Sequence, residues 1–361
     1  MWGNMSEFKL SFGCQIISYG DVGAALQYSI LAEKSGFDTI TLPDHLFHPS
    51  TKGFLEKPPW EVFTVLSAIG VKTKKVKLMP AVTDSLRRHP ALLAHTIATL
   101  DHLTNGRIML GIGAGETFNV VPLKDIRWEK PFTRLKETIE IIKLLWSSTK
   151  EKPATYRGEF FKVEEAYLAF KPLQKPNPPI YVGGYGPRMR RLVGECCDGW
   201  IPWMHSPKIY RKDLKIIAEA AERVGRSLDE IDTAVMTQTV VLRNREKAWR
   251  IIAPRARMGL TLRATLLKEL GYEELANEST EVWKLSLNSR QIKKLQEVAK
   301  KIPFEVVEEV NVAGTTEDAI EKIAEYAKAG VKHFIAIPLM PRFKETLKAY
   351  KDKIIPYFRS L

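Results

Sequence analysis

The chain has 361 residues, and 55 Lys+Arg against 42 Asp+Glu leave a formal charge of +13. Hydrophobic residues at 45% and charged residues at 27% are ordinary globular values, which excludes a disordered, collagenous or disulfide-built chain. Chains near 300 residues bury roughly three quarters of their unfolded surface, so the length allows either two domains or one large α/β barrel.

In chain order, Phe8–Ile17 reads as a first strand. Val22–Ser35 reads as a helix with Asp21 as N-cap and Gly36 as its stop. Asp38–Leu42 is a second strand, ending at Pro43. A helix over 60–70 and a strand over 75–82 follow. Pro90–Leu103 is a helix, Arg107–Ile112 a strand, and 131–147 a long helix. Residues 153–173 carry a small β excursion. Pro179–Val182 and Gly199–Ile201 are strands, separated by a helix that begins near Pro187. A helix over 207–225, a strand over 233–242, a helix over 315–329, a strand over 331–337 and a helix over 341–350 complete the alternation. Residues 245–300 are polar and helix-rich, without clear strands. Strand followed by helix, counted along the chain, comes close to eight units. That predicts a single (β/α)8 barrel spanning residues 1–361, with a helical insertion over 243–300 between units seven and eight.

No apolar run reaches the roughly 18 residues of a spanning helix, so no membrane partner is expected. The opening MWGNMSEFKL has no long apolar core followed by a small-residue cleavage site, so no signal peptide is expected. Three cysteines, Cys14, Cys196 and Cys197, are too few for a framework, and a cytoplasmic location follows. Adjacent Cys196 and Cys197 read as small buried hydrophobes. The +13 surplus fits a solvated Lys-rich surface or an acidic partner. Basic residues are spread along the chain, with one modest cluster over Arg243–Arg263, so no nucleic-acid partner is expected.

In such barrels the chemistry sits at the C-terminal ends of the strands. Asp44–His45 follows the second strand, and histidine is the side chain that titrates near neutrality. His45 and His48 have H-x-x-H spacing but no third ligand at a recognised distance, so no metal site is assigned. Gly111–Glu116 (GIGAGE) is a glycine-rich loop that lets backbone approach a flat or anionic ligand, with Glu116 at its rim. It is not the G-x-G-x-x-G dinucleotide fingerprint. Gly183–Arg190 (GGYGPRMR) joins a strand to a helix with Pro187 in its first turn. Free N–H groups there bind phosphate, and Arg188 and Arg190 would add charge-assisted bonds.

Together these stretches resemble the bacterial-luciferase-like flavin and deazaflavin oxidoreductases. Within that superfamily the chain is most similar to the methylenetetrahydromethanopterin reductases that use coenzyme F420. The resemblance is carried by FGCQI, SGFDTITLPDH, LMPAVTDSLRRHPALLAHTIATLDHLTNGRIMLGIGAGE, RWEKPFTRLKETIEIIKLLW, FKPLQKPNPPIYVGGYGPRMRRLVGECCDGW and GTTEDAIEKIAEYAKAGVKHFI. It implies a barrel with a late insertion, F420 as coenzyme with FMN as the alternative, and a homo-oligomer, dimer or tetramer. It implies a non-proline cis peptide at Ala81–Val82 behind the deazaflavin ring, with Thr83, Gly113 and Gly115 beside it. Asp44 and His45 fall at the family's Asp-His station, where the histidine is a proton carrier. Glu116 falls at an acidic station near the reacting atoms. Gly183, Gly184, Gly186, Pro187 and Arg188 match the loop that takes the coenzyme's phosphate. Gln15 stands where the family often has an acid; a neutral amide is no base, so proton handling would pass to His45 or Glu116. A substrate in the form of a one-carbon pterin is implied. The related alcohol and sugar-phosphate dehydrogenases carry a Trp shortly after the histidine, where this chain has Pro49, with Trp60 farther on. A sugar-phosphate enzyme would use Lys208, Arg211 or Arg255 as clamps.

Overall fold

The computed structural model describes residues 10–17, 21–47, 60–286 and 288–360. Eight parallel strands form the barrel: β1 (Ser11–Gln15), β2 (Thr39–Leu42), β3 (Lys77–Pro80), β4 (Leu110–Gly113), β5 (Ile180–Gly183), β6 (Gly199–Trp200), β7 (Asp232–Val241) and β8 (His333–Pro338). They pair in the order β3–β2–β1–β8–β7–β6–β5–β4. The ring closes from β3 to the entry of β4 through the parallel bridge of Leu78 with Ile108. Met109 donates its N–H to the Leu78 carbonyl there (2.8 Å), and Leu78 donates to the Arg107 carbonyl (2.9 Å). The barrel expected from the alternation is therefore the fold observed.

The strands are short and almost wholly buried, because helices cover them outside and side chains fill them inside. Local signals start the helices where expected. Asp21 caps Val22–Lys34 by accepting the Gly23 N–H, and Gly36 follows with φ +87°. Thr315 and Asp318 form a capping box at the start of Thr316–Lys328. The excursion is a hairpin of Ala154–Arg157 with Lys162–Ala166.

Three details differ from the sequence expectation. Of the first expected strand, Phe8 and Lys9 lie outside the described residues. The strand expected over 75–82 is interrupted: β3 stops at Pro80, the Ala81–Val82 peptide is cis, as the resemblance implies, and Thr83–Asp84 resumes as a separate strand paired with Ile112 and Gly113. Val312–Gly314 forms a short strand on the far half of β7, too brief to show any periodicity. The final helix becomes Phe343–Ala349, a π turn over Tyr350–Ile354, then Ile355–Arg359.

Between β7 and Val312–Gly314 the described residues form the α-helices Arg245–Leu260, Ala264–Glu269, Glu273–Glu278, Ser289–Lys301 and Phe304–Val310. They bury apolar side chains such as Met258, Leu262 and Leu285 with Phe118 of the loop after β4. That contact sets this helical segment over the mouth of the barrel. Cys14 and Cys197 are buried, and the Cys196 and Cys197 sulfurs lie 3.8 Å apart as free thiols. No described helix is long and apolar enough to cross a membrane.

Candidate active site

The C-terminal ends of the strands open into a cavity of about 410 Å³. Its floor follows from the break in β3. After the cis peptide, the Val82 side chain wedges between β4 and β5. A Cβ added at Gly113 or at Gly183 would stand 3.1 Å from the Val82 methyls. Those two glycines are therefore the space that admits Val82. Gly115 beside them has φ +89°, a conformation side chains resist, and an added Cβ would meet Leu86 at 2.8 Å.

Asp44 ties this floor to β2. Its Oδ2 accepts from Thr83 Oγ1 (2.6 Å), Arg87 Nη2 (2.9 Å) and Arg88 Nη1 (2.6 Å), and Arg87 also donates to the Asp44 carbonyl (2.8 Å). Burial works against the charge, but Arg87 and Arg88 hold the Asp44 carboxyl below its ordinary range. Asp44 thus anchors the strand carrying Thr83. Arg87 and Arg88, which nothing in their local pattern singled out, are its counter-ions. Arg88 also reaches Glu61 (2.7 Å).

His45 turns its Nδ1 toward Glu116, 3.1 Å from Oε2. Asn119 completes the group. Its Nδ2 donates to Glu116 Oε2 (3.0 Å) and lies 3.1 Å from His45 Nδ1. Its Oδ1 accepts the N–H groups of Leu46 (2.9 Å) and Phe47 (3.2 Å). Desolvation disfavours a charged His45, but the Glu116 carboxylate outweighs it, helped by Asp44, and the imidazole is raised above its usual 6.5. The pairing with Glu116 therefore favours the protonated imidazole more than in a free histidine. Asn119 was missed by sequence reasoning. Its only signal is position: three residues after Glu116, in the one-turn helix Thr117–Val120, it shares Glu116's side.

Gly183, Gly184, Gly186, Pro187 and Arg188 form the turn into the helix Pro187–Cys196. Gly186 is its N-cap, and no side chain caps it. A Cβ at Gly186 would meet nothing within 4 Å. The space over this helix terminus is thus open, and the dipole favours an anion there. The Arg188 guanidinium lies 4.0 Å from the Phe132 ring centroid, at the cavity edge. Arg190 does not join it. Two residues along a helix is about 200°, so Arg190 points inward and pairs with Asp213 at 2.6 Å. The expectation of a second phosphate arginine is corrected accordingly.

Gln15, at the end of β1, and Gln238, within the second half of β7, also line the cavity, both deeply buried. The opposite wall is apolar and aromatic: Phe118, Tyr185, Trp203 and Trp283, with Met258 and Leu262. Of the three proposed sugar-phosphate clamps only Arg255 lines the cavity; Arg211 donates instead to the Lys328 carbonyl. The basic cluster over 243–263 also disperses. Arg245 pairs with Glu308 and Asp318, Arg257 donates to the Ile302 carbonyl (3.0 Å), and Arg263 is buried. His48 and Pro49 lie outside the described residues. Trp60 is exposed and absent from the cavity wall.

The family described as luciferase-like monooxygenase matches residues 10–333. A 5,10-methylenetetrahydromethanopterin reductase of Archaeoglobus fulgidus is 33% identical, over 92% of this chain and 95% of its own length. An F420-dependent glucose-6-phosphate dehydrogenase of Nakamurella multipartita is 29% identical, over 92% of this chain and 91% of its own. Among solved structures, an F420-dependent secondary alcohol dehydrogenase bound to an F420–acetone adduct superposes with a TM-score of 0.81 at 25% identity. That match covers 97% of this chain and 99% of the other.

Proposed function

We propose that this chain, which belongs to the luciferase-like monooxygenase family, is an oxidoreductase that uses coenzyme F420 and transfers hydride to a one-carbon pterin. The observation that carries this reading is the meeting, in one cavity, of an open glycine cradle with the His45–Glu116 pair across an apolar floor. Relatives named for F420 dependence support the coenzyme. The residues present fit it. Ala81, Val82, Thr83, Gly113 and Gly115 would hold a flat ring, Gly183, Gly184, Gly186, Pro187 and Arg188 its phosphate, and Asp44 would keep Thr83 in place.

When bound, the coenzyme supplies the hydride chemistry. The protein's part is position and proton. As the methylene carbon of the pterin gains hydride, its bond to one ring nitrogen breaks and that nitrogen takes a proton. His45, held at Nδ1 by Glu116 and raised above its ordinary value, would serve as the acid at the cavity. Gln15 has no charge to exchange and would bind rather than transfer. The aromatic wall excludes water and offers faces on which a flat heterocycle stacks. A sugar phosphate would want several cations on that wall; among the described residues the lining offers two arginines, Arg188 and Arg255, besides His45. This favours the pterin.

The test is direct. Purified protein is titrated with F420 and with FMN, then reduced F420 is followed by absorbance as methylene-pterin, secondary alcohols or glucose 6-phosphate are supplied. F420 binding and its turnover with the pterin are expected. Tight FMN binding with oxygen uptake would overturn the reading. Arg188→Glu is expected to weaken F420 binding roughly 10- to 100-fold, the range of a charge-assisted bond turned into repulsion. Fluorescence titration measures it.

A further inference from the structure

Tyr185, Trp203 and Trp283 on the cavity wall are held from behind by a buried cation. Arg263 follows the helix Arg245–Leu260 and is only 2% exposed. Its guanidinium carbon lies 3.5 Å from the Tyr185 ring centroid. Tyr185 also stacks with Trp283, centroids 6.1 Å apart and planes at 27°. Arg263 Nη1 donates to the carbonyls of Trp203 and of Met204, the latter at 2.6 Å. Tyr185 adds its own bond, its hydroxyl donating to the Trp203 carbonyl (3.1 Å).

The guanidinium is fixed in turn. Its Nη2 lies 3.5 Å from His205 Nδ1, and His205 Nε2 lies 2.8 Å from Asp213 Oδ2. That same oxygen takes Arg190, in the helix whose N-terminus is the glycine cradle. Burial and the two arginines push His205 down to about 4, so it is neutral, donating from Nε2–H to Asp213 and accepting at Nδ1 from Arg263. Only a planar fork with a flat face can serve two carbonyls, an imidazole and an aromatic ring together, which is why lysine is no equivalent.

We propose that Arg263 is a positioning residue for substrate recognition: it sets the tilt of Tyr185 against Trp283, and so the slot that a flat substrate enters, without itself touching the cavity. This rests on the reading of that cavity as the substrate site. The wall is tied to the cradle helix through four buried side chains, Arg263, His205, Asp213 and Arg190.

The test compares wild type with Arg263→Lys and Tyr185→Leu in the full chain. In Arg263→Lys, KM for methylene-pterin is expected to rise roughly tenfold while kcat and F420 affinity stay within about twofold, the signature of lost ground-state binding. Tyr185→Leu should raise KM similarly, and the double variant should add little, because both remove the same stack. Near-UV circular dichroism of the ligand-free protein reads the Tyr185–Trp283 stack independently of any turnover, and Arg263→Lys should diminish it. Loss of kcat at constant KM, fully additive effects, or an unchanged aromatic spectrum in folded Arg263→Lys would overturn the proposal. If Arg263→Lys does not fold, an unchanged KM in Tyr185→Leu overturns it alone. A wild type that binds no F420 overturns the functional reading instead, while the spectrum still decides the role of Arg263.

Discussion

His45→Ala is expected to lower turnover by about 10²- to 10⁴-fold with F420 still bound, the range removed with a positioned general acid. The expectation rests on the 3.1 Å approach of His45 Nδ1 to Glu116 Oε2 and on the resulting rise of the imidazole above 6.5. The acid is active while protonated, so kcat/KM should fall as pH rises through the raised value. Glu116→Gln removes the carboxylate that raises it. The falling limb should then shift to lower pH, with the maximal rate reduced less than in His45→Ala. Stopped-flow traces across pH, with coenzyme affinity measured in parallel, check both. Unaltered turnover in His45→Ala would remove it from the mechanism.

A second large effect concerns stability in acid. His205 is held near 4 in the folded protein against 6.5 when exposed, so between those values the unfolded chain binds more protons. Its neutral form contributes fully above about 6.5, and stability is lost as pH falls from there toward 4. The shift corresponds to about 3 kcal/mol in all, of which about 2 kcal/mol should vanish between about pH 7 and pH 5. His45 has the opposite sign. Its pairing adds stability below 6.5, and that is lost as pH rises through its raised value. His205→Gln keeps a neutral donor for Asp213 without a titrating ring, and should flatten the acid slope attributed to His205. Urea unfolding at the two pH values measures the difference; an identical slope in wild type and variant would contradict it.

Much of this was legible along the chain. Helix starts at Asp21, Pro90, Pro187 and Thr315 are written in cap chemistry that acts over three or four residues. Short apolar β-rich runs alternating with amphipathic helices marked close to eight barrel units and pointed to the rim, where His45, Glu116 and Arg188 meet in one cavity. Such signals are local, and the residues carrying them suffice.

What pairs over long distances was not legible. Closure of the barrel by Leu78 with Ile108 depends on which strand lies alongside, and the cis peptide after Pro80 was expected from the family resemblance and not from the local pattern. Arg188 and Arg190 look alike in sequence, yet one faces the cavity and the other is buried against Asp213, because the helix turns between them. Arg87, Asn119, Arg263 and Tyr185 acquire their roles from partners 43 to 78 positions away. By itself the sequence determined the units of the barrel and the rim positions bearing acid, base and glycine. Only tertiary structure decided which charges are spent inside and which face the cavity, because burial and ion pairing are properties of the packed whole.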